Sequence, residues 1–248
     1  MTKPSGGKRA DVFLVEHGYA ASRAEAQAAI RAGRVRADGD PLTKPAQMLH
    51  EGQEISFEKE HPYVSRGALK LIAALDHFGV SPRDRVCLDI GASTGGFTQV
   101  LLERGARRVF AVDVGHGQLH ETLASDPRVK SFEGVNARDL TTEVVTEPPE
   151  AIVIDVSFIS LMLALPRALA MAAKGAWLIA LVKPQFEVGR EHVGKGGIVK
   201  DERVGLAAAE RVAEWLAAID GWQVHGLIES PIAGGDGNRE YLLAATKS

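Results

Sequence analysis

From Ser65 onward, apolar runs of strand length alternate with amphipathic stretches of helix length, and this alternation limits the fold more than any other feature of the chain. The apolar runs fall at 85–90, 107–113, 129–133, 151–156, 176–182, 223–229 and 239–246. The helical stretches lie at about 65–78, 96–104, 117–124, 160–173 and 201–219. A strand that returns through a helix to a parallel neighbour builds a sheet covered on both faces. The expected class is therefore α/β, a mostly parallel Rossmann-like sheet whose ligands sit at the carboxyl ends of the strands.

The first 60 residues follow a different pattern. An apolar face at Val12, Phe13 and Val15 is followed by Ser22-Arg23-Ala24-Glu25, which has the form of a helix capping box, and Gly33 stops the second helix. Val35-Arg36-Ala37 then meets Asp38-Gly39, a pair suited to a tight hairpin. Glu58 to Tyr63 is charged, contains Pro62 and has no periodicity. The expected organisation is a small α+β domain over 1–59, a linker over 60–64 and a large domain over 65–248. With 248 residues and 45% apolar content the chain can fill one large core and a small second one.

The net charge of −3 hides an uneven distribution. Residues 1–50 hold eight lysines and arginines, among them Lys3, Arg9, Arg23 and Lys44, against five acidic residues. An excess of that sign suits a phosphate backbone. No run reaches the apolar length that crosses a bilayer, and Met1 to Asp11 lacks an apolar signal core. A cytoplasmic protein without membrane contact is expected. Cys87 is the single cysteine and reads as a buried core thiol, and the eight histidines have no ligand spacing, so no metal is expected.

The strongest local motif is Leu88-Asp89-Ile90-Gly91-Ala92-Ser93-Thr94-Gly95-Gly96-Phe97-Thr98, a strand entering a glycine turn and then a helix. Gly91 and Gly95 allow backbone to pass close to a ligand, and the helix start offers free N–H groups. The spacing is neither G-x-G-x-x-G nor G-K-[ST], so both nucleotide fingerprints are absent. Asp89 precedes the turn, and Asp113 ends the next strand, where a carboxylate can accept from two hydroxyls. This arrangement resembles methyltransferases with a Rossmann-like sheet. The resemblance implies S-adenosyl-L-methionine as cofactor, with Asp89, Gly91, Ser93, Gly95, Phe97, Asp113, Asn136 and Asp155 around it. Asp89 would face the methionine ammonium and Asp113 the ribose, while Gly134 to Asp139 occupies the adenine side.

Four charged residues fall at element ends on one rim of the expected sheet. Lys70 stands in SRGALKL, Asp155 in DVSF, Lys183 in LVKPQFE and Glu240 in GNREY. A charge closing an apolar strand is costly unless it is solvated or paired. In order and motif the four resemble the catalytic tetrad of ribose 2′-O-methyltransferases. The helix pair and hairpin at about residues 8–58, with Arg23, Arg31, Arg34 and Lys44, resemble the S4 RNA-binding domain.

Together they resemble the TlyA family of bacterial ribosomal-RNA 2′-O-methyltransferases, also labelled haemolysins. The resemblance implies ribosomal RNA or a ribosomal subunit as partner, a cytidine ribose as target, a class I methyltransferase sheet of FtsJ-like type and a monomer. It also implies phosphate contacts from Arg9, Arg23, Lys44 and Arg66. Lys183 would act as base or electrostatic stabiliser, tuned by Lys70 and Glu240, with Asp155 orienting it beside the methyl donor. Members acting on both subunits tend to have slightly longer termini, so a large-subunit target is expected. Rival readings are a membrane-acting haemolysin, a non-catalytic ribosome assembly factor and a small-molecule O-methyltransferase. Val188 to Gly197, rich in glycine and charge, is expected to be a mobile lid.

Overall fold

The computed structural model describes residues 7–20, 22–58 and 61–248. It divides into two compact units, Met1–Pro62 and Tyr63–Ser248. Lys3, and the Lys59–Glu60 pair at the edge of the expected linker, lie outside the described residues.

In the first unit Ala10–Glu16 and Arg23–Arg31 are helices, and Ser22 Oγ accepts from the Glu25 N–H at 3.2 Å as the N-cap of the second. Val35–Ala37 pairs antiparallel with Asp40–Pro41 and with Ile55–Phe57. Asp38 and Gly39 have φ of 52° and 86°, the left-handed pair that a two-residue hairpin turn requires. Phe13, Leu14, Ala26, Ile30, Val35 and Leu42 form the core.

One charge of this unit is buried without any local pattern that marks it. Asp11, one of the five acidic residues of 1–50, is fully buried. It accepts from Arg9 Nε at 3.0 Å, Arg23 Nη2 at 2.8 Å and Gln27 Nε2 at 2.7 Å. The Arg9 hydrogen bond is the largest influence holding its carboxyl well below the usual carboxylate range, against the opposing pull of burial.

In the second unit seven strands form one sheet in the order β6-β7-β5-β4-β1-β2-β3. They are β1 Val86–Ile90, β2 Arg108–Val112, β3 Val129–Phe132, β4 Ala151–Ile154, β5 Trp177–Val182, β6 Trp222–Glu229 and β7 Tyr241–Lys247. β5, β4, β1, β2 and β3 pair in parallel, and β7 inserts antiparallel between β5 and β6. This is the class I methyltransferase arrangement, with its topological switch between β1 and β4.

β1, β4 and β5 are buried along their whole length and β2 all but at Arg108, which explains their near-continuous apolar sequences. Val86, Leu88 and Ile90 of β1 pack into one core with β4, β5 and Val212 and Leu216 from the C-terminal helix Glu202–Ala217. Cys87 faces the other core, built with Leu71 and Leu75 of α1 (Gly67–Phe78) and Phe97, Val100 and Leu101 of α2 (Gly96–Glu103). Burial pushes the Cys87 thiol up to about 12, which leaves it an inert core group.

Two helical stretches differ from their sequence pattern. The stretch at 160–173 is two short helices, Leu161–Ala164 and Pro166–Met171, because Pro166 has no N–H to continue the first one. The stretch at 117–124 keeps only Glu121–Ala124, and Gly117 before it has φ of 63°.

The Asp11 network generates a prediction. Asp11→Ala should lower the stability of the first unit by about 1–3 kcal/mol, the scale of charged hydrogen bonds left unmade. A depressed native pKa stabilises above the unfolded value of about 4 and loses that stabilisation as pH falls through the native value. Stability should therefore fall more steeply on acidification in the wild type than in Asp11→Ala, and the variant, which lacks the contribution at every pH, should reach its acid midpoint at the higher pH. Hydrogen exchange of the first unit in the full chain, followed across pH, measures this. An unchanged acid profile in Asp11→Ala would contradict it.

Candidate active site

The site forms at the carboxyl ends of β1, β2 and β4, where the sheet changes direction. After β1 the chain turns at Gly91, with φ of 81°, and a Cβ there would lie 2.3 Å from the Asp155 carbonyl oxygen. Gly95, with φ of 97°, opens α2, and a Cβ there would meet the Leu123 side chain at 2.3 Å. Only glycine fits either place. Ser93 between them holds φ of 47°, an uncommon value for a residue with a side chain.

Asp113 fixes this turn. Its Oδ2 accepts from the Ser93 N–H at 2.8 Å and its Oδ1 from the Gly115 N–H at 2.7 Å. Each oxygen keeps lone-pair capacity toward a ligand. Two clefts open along the strand ends and share Gly91, Ser93 and Asp155. The first, of about 420 Å³, is lined by Ser65, Arg66, Lys70, Phe97, Ile232 and Gly235 among others. The second, of about 810 Å³, includes Asp113, Gln118, Asn136, Arg138, Phe158 and Leu163. Asn136 caps the short turn Ala137–Asp139 through its Oδ1, which accepts from the Arg138 N–H at 3.0 Å.

Asp89 lines neither cleft. It is fully buried, and Thr98 Oγ1 donates to its Oδ2 at 2.6 Å, while Oδ1 has no hydrogen-bond partner among the described residues. Burial is the main cause raising its carboxyl to about 7, with Asp155 and Asp113 adding to the shift and Thr98 opposing it.

The four charges at the rim form two ion pairs. Lys70 of α1 donates to Glu240 Oε2, and the two side chains are only 9% and 3% exposed. Lys183, just after β5, holds its Nζ 2.5 Å from Asp155 Oδ1 and donates a hydrogen bond to Ser157 Oγ at 3.0 Å. The charge beside Lys183 is thus Asp155, the carboxylate expected to orient it, while Lys70, expected to tune it, is paired with Glu240. Lys70 and Asp155 face the first cleft, and Glu240 stands behind Lys70.

Of the four arginines and lysines expected to meet phosphate, Arg66 is exposed on the first cleft, and Lys44 is exposed. Arg9 and Arg23 are 47% and 57% exposed while tied to Asp11. Two further site residues escaped the sequence reading. Glu187 is buried and braces the loop after β4, accepting from Ser160 Oγ at 2.6 Å and the Leu161 N–H at 2.8 Å. Phe158 is 91% exposed with φ of 66°, and packs on Phe186 with ring centroids 5.1 Å apart. Among the described residues no group of three or more His, Cys, Asp or Glu side chains could hold a metal ion. No helix among them is long and apolar enough to cross a membrane.

Val188 to Gly197 has more internal structure than a bare lid. Arg190–His192 forms a short 3-10 turn, and Val193 bridges antiparallel to Val199.

A Rossmann-like sheet with an acidic strand end, a glycine turn and paired lysines at its switch point defines a methyltransferase. The family model of FtsJ-like methyltransferases matches residues 63–247, and that of the S4 domain matches residues 8–55. The 16S/23S rRNA (cytidine-2′-O)-methyltransferase TlyA of Mycobacterium tuberculosis is 46% identical over 95% of this chain and 88% of its own. The 23S rRNA (cytidine-2′-O)-methyltransferase TlyA of Campylobacter jejuni is 41% identical over 81% of this chain and 77% of its own. A solved structure from Streptococcus thermophilus, described as a hemolysin, superposes with a TM-score of 0.78 at 42% identity over 98% of this chain and 89% of that one. The chain belongs to the TlyA family of FtsJ-like methyltransferases with an S4 domain.

The buried Lys70–Glu240 pair yields a prediction. Glu240→Ala leaves an ammonium buried without its partner and should cost about 3–5 kcal/mol in denaturant unfolding. Lys70→Met combined with Glu240→Leu should recover much of that loss. Equal stability of Glu240→Ala and wild type would show that the pair is solvated.

Proposed function

We propose that this chain transfers the methyl group of S-adenosylmethionine to the ribose 2′-hydroxyl of a cytidine in ribosomal RNA. The observation that carries this reading is the pair of lysine–carboxylate contacts at the rim of a cleft bordered by Asp113 and the glycine turn. The relatives from both organisms carry 23S RNA in their names, which favours the large subunit as target. Such a substrate places the protein in the cytoplasm.

The residues present fit a cationic ligand with vicinal hydroxyls. Three carboxyl groups, Asp89, Asp113 and Asp155, gather at the cleft and behind it, and the unpartnered Oδ1 of the buried Asp89 can accept from an ammonium group. Asp113 accepts hydroxyl hydrogen bonds, the Gly91 turn lets backbone approach, and Ser93, Gly95, Phe97 and Asn136 shape the surroundings. S-adenosylmethionine, when bound, supplies an electrophilic methyl group.

The chain itself must orient the hydroxyl and handle its proton. A ribose hydroxyl is a poor nucleophile at neutral pH, so charge developing on its oxygen needs a positive group in a partly dry site. Lys183, 13% exposed and fixed by Asp155 and Ser157, supplies that group. When neutral it takes the hydroxyl proton, and when charged it stabilises the oxyanion while the proton leaves to solvent. Lys70, held by Glu240, adds a second cation on the cleft wall. In the first unit, Arg9, Arg23 and Lys44 hold RNA phosphates, and Arg66 does so in the second.

A membrane-acting haemolysin finds no support in a site assembled for a cationic cofactor, nor does a non-catalytic assembly factor in one that keeps both lysine–carboxylate pairs.

Two measurements test the reading. Asp113→Ala should weaken cofactor binding by about 1–3 kcal/mol in calorimetry with little effect on folding. Lys183→Ala should reduce transfer to RNA roughly 100-fold or more while both ligands still bind. Lys183→Arg separates the two roles, because a guanidinium keeps its proton. An active Arg variant would retain electrostatic stabilisation and eliminate the general base, and an active Ala variant would remove Lys183 from the mechanism.

A further inference from the structure

Asn238 is 2% exposed and uses both ends of its side chain on one neighbouring loop. Its Oδ1 accepts from the Val199 N–H at 2.9 Å, and its Nδ2 donates to the Gly197 carbonyl at 2.9 Å. Its own carbonyl accepts from the Gly234 N–H at 2.9 Å. One buried amide therefore ties the turn at 193–199 to the loop at 232–238, and Ile232, Ala233 and Gly235 of that loop line the first cleft.

The tied turn is closed by the Val193–Val199 bridge and by the Gly194 N–H donating to the Ile198 carbonyl at 2.8 Å. It presents Lys195 and Lys200, both exposed, and the Lys200 stem lies across Gly194. Glu191 stands on the same stretch 3.8 Å from His192, and Asp201 caps the following helix by accepting from the Arg203 N–H. Arg239, next to Asn238, is occupied by Glu202 at 2.9 Å and Glu229 at 3.4 Å.

A buried amide with both ends spent on backbone anchors a glycine-rich turn to the neighbouring loop. Flexible lysines anchored at a cleft rim make a ready phosphate contact. We propose that Asn238 is a positioning residue that holds the 193–199 turn as a rim of the active-site cleft, where Lys195 and Lys200 contact the phosphates of the RNA flanking the target nucleotide. The proposal rests on the RNA-methylating reading above and extends it to an interaction surface within the methyltransferase unit.

The test compares wild type, Asn238→Ala, Lys195→Ala/Lys200→Ala and the triple variant of the full chain, using a transcribed large-subunit RNA fragment. The double lysine variant should bind RNA about 10-fold more weakly near physiological salt and lose between one and two units of salt slope. Asn238→Ala should show the same loss in direction and a raised KM for RNA, with kcat and cofactor affinity within about twofold of wild type. The triple variant should bind like the double one, because the same contacts are lost once. Asn238→Asp, which keeps the acceptor and loses the donor to Gly197, should lie between. A reduced kcat with unchanged RNA affinity in Asn238→Ala would show action through Glu240 and Lys70 and overturn the proposal. Wild-type salt slope in the double lysine variant would overturn it too. A wild-type chain that methylates no RNA would remove the reading on which it stands, and the proposal with it.

Discussion

The close passage of the Gly91 turn against the backbone of Asp155 is the constraint from which the site follows. β1 and β4 are parallel neighbours whose outgoing chains separate at the switch point, with the Asp155 N–H still bonded to the Ile90 carbonyl at 2.9 Å. Because no side chain fits at Gly91, the turn stays narrow and the Asp155 carboxylate is delivered to the cleft beside it. The same turn places Ser93 on Asp113, which joins the end of β2 to the same cleft. Residues far apart in sequence thus converge through strand order and one glycine.

Charge inside this region is arranged in pairs of unequal exposure. Lys70 and Glu240 are nearly dry, so their contact is a rigid part of the wall, and each is costly to leave alone. Lys183 and Asp155 are 13% and 22% exposed, wet enough for substrate to replace part of the contact and dry enough for the field of the ammonium to matter. Asp89 is dry and unpaired at one oxygen. The contrast sets a nearly dry pair beside a partly solvated one in one small volume, a distinction invisible in a list of four charged residues. In the first unit Asp11 plays the structural part, holding Arg9 and Arg23 by their guanidinium groups while leaving half of each side chain in solvent.

Much of this was legible before any coordinates. Parallel strands buried on both faces write themselves as apolar runs, so 85–90, 151–156 and 176–182 enclose the observed β1, β4 and β5. Asp38-Gly39 and Ser22 act through local chemistry alone and sit where the sequence placed them. What the sequence concealed depends on contacts across long separations. The pairing of Lys70 with Glu240 spans 170 positions, and no local pattern chooses that partner over Lys183. Asp11 looks like any first-turn carboxylate, and its burial is decided by Arg23 and Gln27 from the next helix. Asn238 reads as an ordinary turn residue until the 193–199 segment folds onto it. Pro166 was in plain view, yet the apolar periodicity on either side of it masked the break.

The central claim is that the chain methylates a ribose hydroxyl of cytidine in ribosomal RNA, and the most direct measurement is the chemical identity of the product. Large-subunit RNA incubated with the protein and labelled S-adenosylmethionine, digested to nucleosides and resolved by mass spectrometry, should yield 2′-O-methylcytidine carrying the label. Label on a base, on another sugar position or nowhere in the RNA would contradict the account.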